Sequence, residues 1–169
     1  MALLVLSVVG SDRPGLTRAL AAAVLEAGGN WLESHLSRLG GLYVGSVLVD
    51  LDPVRIGNLS AAVRAVDAHG LEVRIVPAHE TPPPAGEVLQ LALVGQDRPG
   101  IVDTVTAALS ALGANIETFR TWISAEPYSG APLFNMQARL RLPAGLSAGA
   151  VQDSLEDISA EVMIDITPA

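Results

Sequence analysis

One turn is spelled twice in this chain. "VVGSDRPGL" at residues 8–16 returns as "LVGQDRPGI" at residues 93–101. Shifted by 85 residues, the stretch 6–30 falls on 91–115 with 11 identities in 25 positions. They are Leu6, Val9, Gly10, Asp12, Arg13, Pro14, Gly15, Ala22, Ala23, Gly28 and Asn30. Several other positions exchange one apolar residue for another, and the distance from the turn to the next Gly-x-Asn is kept. Such a repeat constrains the fold more than composition does. The chain reads as two copies of one unit.

Each copy has a legible order. "LLVLSVV" is a short apolar run of β-favouring residues, the mark of a buried strand. After the turn, "PGLTRALAAAVLEAG" places apolar residues at helical spacing. Asp12 suits the N-cap of that helix, Pro14 its first turn and Gly28 its C′ stop. "NWLESHLSRLG" and "LYVGSVLVDLD" alternate around Gly40-Gly41 and predict a hairpin. "NLSAAVRAVDAHG" predicts a second helix and "LEVRIVP" a last strand. The second copy predicts a strand at 88–94, a helix near 99–112, strands near 115–124 and 132–142, a helix near 148–159 and a strand at 161–166. The sum is βαββαβ twice, an α+β chain of two ferredoxin-like units: antiparallel four-stranded sheets with helices on one face. Expected domains are 1–78 and 88–169, joined by a proline-rich linker at 79–87 that cannot enter either sheet.

Composition narrows the function. Half the residues are hydrophobic and 17% charged, enough for a packed core. No apolar run nears the ~18 residues of a membrane span, and the start reads as a strand rather than a signal peptide. A cytoplasmic protein is expected. Without cysteine there is no disulfide framework, thiolate nucleophile or cysteine metal site. His35, His69 and His79 are dispersed and absent from the second copy, which argues against a metal or catalytic role. There is no nucleophile elbow, no phosphate-binding Gly-Lys-Ser/Thr and no dinucleotide fingerprint. Two small units use up the chain. No enzyme activity, cofactor or metal is expected.

An apolar strand, Gly-x-Asp-Arg-Pro-Gly, a helix and then Gly-x-Asn resembles the ACT domain, a small amino-acid-sensing regulatory module, and does so in both halves. "GANIE" and "EPYSGAPLF" in the second copy resemble the glycine cleavage system transcriptional repressors, which are tandem ACT proteins. The resemblance implies a small amino acid held between paired domains, touching the residue before Arg-Pro-Gly and the asparagine after the first helix. Those positions are Asp12 with Asn30, and Asp97 with Asn115; the family often has asparagine where this chain has aspartate.

The residue chemistry agrees. A strand that ends in glycine and opens a helix aims backbone N–H groups at one spot, a seat for a carboxylate. Gly15 and Gly100 let a ligand come close, the aspartates accept from an ammonium, and the asparagines donate and accept. The candidate contacts are Gly95, Asp97, Arg98, Pro99, Gly100 and Asn115 in the second copy, and Gly10, Asp12, Gly15 and Asn30 in the first. The competing use of Asp12 and Asp97 is helix capping, and of Arg13 and Arg98 plain solvation. Trp31 and Trp122 read as packing residues.

The copies are not identical. The second inserts about six residues after its second strand, "EPYSGAP", where a binding surface is easily added. A net charge of −8 argues against direct nucleic-acid contact, so control of a promoter would run through a DNA-binding protein. The alternative is a module that regulates an amino-acid-metabolism enzyme. Each unit leaves a sheet edge to be covered, so the two units are expected to pair, and a homodimer is expected too.

Overall fold

The structure is a computed structural model that describes residues 1–68, 70–79, 81, 82, 84–158 and 162–169. His69, two linker positions and the expected helix-to-strand junction at 159–161 lie outside the described residues. The chain divides into two compact units, Met1–Pro82 and Pro83–Ala169.

In the first unit the order is β1 (Ala2–Ser11), α1 (Leu16–Glu26), β2 (Asn30–Leu39), β3 (Leu42–Leu51), a 3₁₀ turn (Pro53–Arg55), α2 (Ile56–Asp67) and β4 (Leu71–Pro77). In the second it is β5 (Val88–Gln96), α3 (Ile101–Ala111), β6 (Asn115–Ala125), β7 (Pro132–Arg141), α4 (Ala148–Glu156) and β8 (Met163–Pro168). Each sheet is antiparallel and four-stranded, in the order β2-β3-β1-β4 and β6-β7-β5-β8. The α+β expectation holds, with βαββαβ in both units.

Alternation along the strands decides which face is covered. Leu4, Leu6 and Val8 of β1 are buried, while Val5, Ser7 and Val9 on the opposite face are half-buried or exposed. Leu16, Leu20, Ala23 and Val24 give α1 a stripe of period three to four, and Leu59, Val63 and Val66 do the same for α2. Both stripes share one core with the inward residues of the sheet, so the helices lie on one face. The second unit repeats this with Leu89, Leu91 and Leu93 on β5 against Val105, Leu109, Val151 and Leu155.

The stops fall where glycine was expected. After α1 the N–H of Gly29 donates to Val24 O at 2.9 Å and that of Gly28 to Leu25 O at 2.8 Å. Ala114 and Gly113 make the same pair of bonds after α3. This double closure needs a left-handed residue, and Gly28 and Gly113 have φ of 75° and 72°.

The starts do not. The N-caps of α1 and α3 are Gly15 and Gly100, in the left-handed region at φ 94° and 85°, and neither helix has a side-chain cap. Asp12 and Asp97 therefore do not cap these helices, which begin four residues later, and Pro14 precedes the first turn. The backbone N–H of each aspartate instead prolongs its strand, donating to Gly41 O and to Pro132 O.

Candidate functional site

The repeated turn ends the central strand and opens the first helix in each unit. The second helices are approached differently: Ser147 accepts from Ala150 N at 3.2 Å to cap α4, and Asp52 accepts from Val54 N before α2. Among the described residues, the turns carrying Asp-Arg-Pro-Gly are the ones that open helices on an N-cap without a side chain, while Arg55, the N-cap of α2, makes no side-chain cap bond. The first-turn N–H groups of α1 and α3 thus lack the shield that a serine or aspartate gives elsewhere in the same chain.

In the second unit a cavity of about 70 Å³ lies beside this turn. Gly95, Gln96, Asp97 and Arg98 form its polar rim, and Leu93, Ile101, Val105, Leu155, Ile158 and Val162 its apolar wall. Gly95 is buried, while Asp97, Arg98, Pro99 and Gly100 are exposed.

At the matching turn of the first unit an open groove borders Val9, Gly10, Ser11 and Gly70, and larger residues stand on the core side of Gly10. Leu71 lies opposite Gly10, is fully buried, and comes within 3.0 Å of where a Cβ on Gly10 would stand. The strand register gives Val162 the corresponding place beside Gly95, and the 85-residue repeat puts Val105 where the first unit has Leu20. Two leucines become valines, and the wall recedes by a methylene at each. Further out, the Thr17 and Tyr43 hydroxyls meet at 2.6 Å, and Asp12 Oδ2 accepts from Arg38 Nε at 3.0 Å. Val102 and Phe134 stand at the places of Thr17 and Tyr43, so the second unit has no such hydroxyl bridge.

The asparagines are elsewhere. Asn30 pairs with Asp50 and Asn115 with Arg141, at the end of each sheet where the central strand begins. Asp97 lies nine strand steps from that level, about 30 Å at the usual rise. One unit does not bring Asp97 and Asn115 together, nor Asp12 and Asn30. The hairpin reverses the chain, so a short spacing in sequence becomes the full length of the sheet.

Next to Asn115 is a cluster that sequence reasoning missed. A bulge between Ile116 and Thr118 turns Glu117 toward two arginines of β7. Arg141 Nε donates to one of its carboxylate oxygens and Arg139 Nε to the other at 3.0 Å. The bond from Arg141 chiefly holds the Glu117 carboxyl below the usual carboxylate range, against a smaller opposing effect of burial. Arg141 Nη1 also donates to Gly86 O, fastening the chain ahead of β5. An Arg-x-Arg pair on one strand face was the signal available.

Among the described residues no three histidine, aspartate or glutamate side chains are grouped to hold a metal, and no helix is long and apolar enough to cross a membrane. Residues 2–76 match the family model of the ACT domain.

The first unit is an ACT domain.

The second unit repeats that ACT architecture strand for strand. An unknown protein from Galdieria sulphuraria superposes with a TM-score of 0.85 at 29% identity, over 99% of this chain and 98% of that one. A proposed glycine cleavage system transcriptional repressor superposes with a TM-score of 0.70 over the same shares, at 14% identity, which is a likeness of fold. No curated protein matches the chain. Both structural relatives span the two units together, so the tandem of ACT architectures is shared along its whole length.

Proposed function

We propose that this tandem ACT protein senses a free small amino acid, of glycine or serine type, at the turn Gly95–Gly100, and passes the signal to a protein partner. The observation that carries this reading is the cavity rimmed by Gly95, Gln96, Asp97 and Arg98. It opens beside a helix start whose N–H groups no side chain caps. A carboxylate fits those N–H groups, and Asp97 accepts from the ammonium. Asn115 stands at the far end of the sheet, so it reaches the same ligand only from a second copy of the unit.

The partner follows from charge. At −8, the chain is poorly suited to bind DNA phosphates itself. Transcriptional control would act by holding a DNA-binding regulator in the cytoplasm, and an enzyme of amino-acid metabolism is the other partner class that an acidic sensing module suits. No catalytic role is proposed.

Thermal melts against a panel of amino acids test the ligand. At a hundredfold excess over its Kd, a ligand specific to the folded state adds about 2.7 kcal/mol. Asp97→Ala should lose that shift and keep the unliganded melt, because the side chain caps nothing. If no amino acid moves the melt, the ligand reading falls.

A further inference from the structure

The face of each sheet that the helices leave bare carries different chemistry in the two units. Strand alternation puts Val5, Leu48 and Val76 side by side on that face of the first sheet, and the helix-side core includes none of them. The bulge in β2 falls at Leu32, as the bulge in β6 falls at Glu117. Leu32 is 46% exposed and Val76 41%, while Val5 and Leu48 are half-buried. In the second unit the places of Val5, Leu32, Leu48 and Val76 hold Gln90, Glu117, Arg139 and Thr167. The scaffold is the same, so folding does not require apolar residues there. An apolar patch on one copy alone marks contact with something else.

Asp50 shares this face, in one row with Leu3 and Asn30, and its counterpart in the second unit is Arg141. Glu117 answers Arg141 from the bulge, whereas the first unit has a leucine in its bulge. Among the described residues Asp50 has no ion-pair partner, and its Oδ1 is sealed from water without a hydrogen bond. A carboxylate left in that state is costly.

We propose that this face of the first sheet docks an amphipathic helix of the protein partner, its apolar stripe on Val5, Leu32, Leu48 and Val76 and an arginine or lysine against Asp50. β1 and β3 have neighbours on both sides, so no strand can be added there and the face offers side chains alone. An apolar stripe at helical spacing meets such a face, as those of α1 and α2 do on the other side. The cation is the charge missing at Asp50, and it restores the pairing that Glu117 gives Arg141. With a net charge of −8, the chain also draws a basic partner through its long-range field. This inference rests on the reading that the signal goes to a protein, and it names the chemistry of that protein's contact.

The probe is a synthetic helix of about four turns, with leucines spaced by three and four and one arginine at the end of that stripe. Its twin carries glutamine in place of the arginine. Fluorescence anisotropy with the full chain should show saturable binding of the arginine peptide, about tenfold tighter than its twin. Asp50→Asn should bring the two peptides level. Leu48→Arg, which copies Arg139 into the first unit, should abolish binding of both and leave the melting point and the light-scattering mass unchanged. Absence of saturable binding overturns the proposal, as does binding that survives Leu48→Arg or a preference that survives Asp50→Asn. A large fall in the melting point of Leu48→Arg would mean that the chain covers this face itself, and a fall in mass that a second copy does; either overturns it. Amino-acid melts separate the two readings. A melt shift without peptide binding sinks the docking face alone, and peptide binding without any melt shift sinks the sensing reading alone.

Discussion

The two units share their sheet order, their helix stops and the turn that opens each first helix, yet differ where that turn meets the core. In the first unit Leu20 and Leu71 fill the space behind Gly10, and the Thr17–Tyr43 and Asp12–Arg38 contacts lie near the same turn. In the second, Val105 and Val162 stand in the leucine places and a cavity of about 70 Å³ remains between the turn and the wall. A duplicated scaffold can keep a turn for two reasons. One copy packs leucines behind it and leaves an open groove at its edge, and the other keeps an apolar cavity beside it. The difference rests on two methylene groups rather than on the conserved-looking tetrapeptide.

The sharpest way to break that comparison is to empty the leucine-packed wall. Leu71→Ala removes a fully buried side chain and should cost about 3 kcal/mol in denaturant unfolding, whereas Val162→Ala, half-buried beside an existing cavity, should cost well under half of that. Equal losses would mean the two walls are equally packed. Val162→Leu copies the first unit into the second. It should raise unliganded stability by about 1 kcal/mol, as cavity-filling changes do, and abolish any amino-acid shift in the melt. A stabilised variant that still binds would place the ligand outside the cavity.

Glu117→Gln touches a feature the first unit lacks. Its carboxyl is held down in the folded state, so its contribution is complete above the ordinary glutamate range and fades as pH falls through the depressed value. The parent should be more stable than the variant at neutral pH, and their melting curves should converge on acidification. Divergence at low pH would contradict the ion cluster. The smallest effect belongs to Asp12→Ala, which removes only an exposed ion pair with Arg38 and should cost no more than about 0.5 kcal/mol. A loss above 1 kcal/mol would point back to a capping role.

Much of this fold is readable in the sequence because local chemistry decides it. Gly28 and Gly113 stop their helices for the same left-handed closure, and Gly40-Gly41 makes the two-residue hairpin turn with φ of 59° and 84°. What sequence did not reveal depends on residues distant in the chain. Asp12 and Asp97 look like caps until the backbone shows Gly15 and Gly100 in that position, a place glycine takes less often than aspartate. The cavity needs Val105 and Val162 side by side, 57 positions apart in sequence, and no window contains both. The Glu117 cluster needs a bulge that shifts register by one residue. The separation of Asp97 from Asn115 is a matter of strand direction, invisible to any spacing rule. The inserted hairpin tip is ordered by its own bonds, with Ser129 donating to Glu126 and Tyr128 left fully exposed.

Strand direction has a quantitative consequence. The hairpin sets Asp97 and Asn115 a full strand length apart, so a ligand that touches both would have to take one from each of two copies. Under that arrangement the ligand stoichiometry is set by pairs, not by chains. Diluting the protein would then weaken the apparent affinity for the amino acid, and adding the amino acid would tighten the dimer by the same factor. A cell carrying such a protein would respond to the product of two concentrations, the metabolite's and the sensor's own.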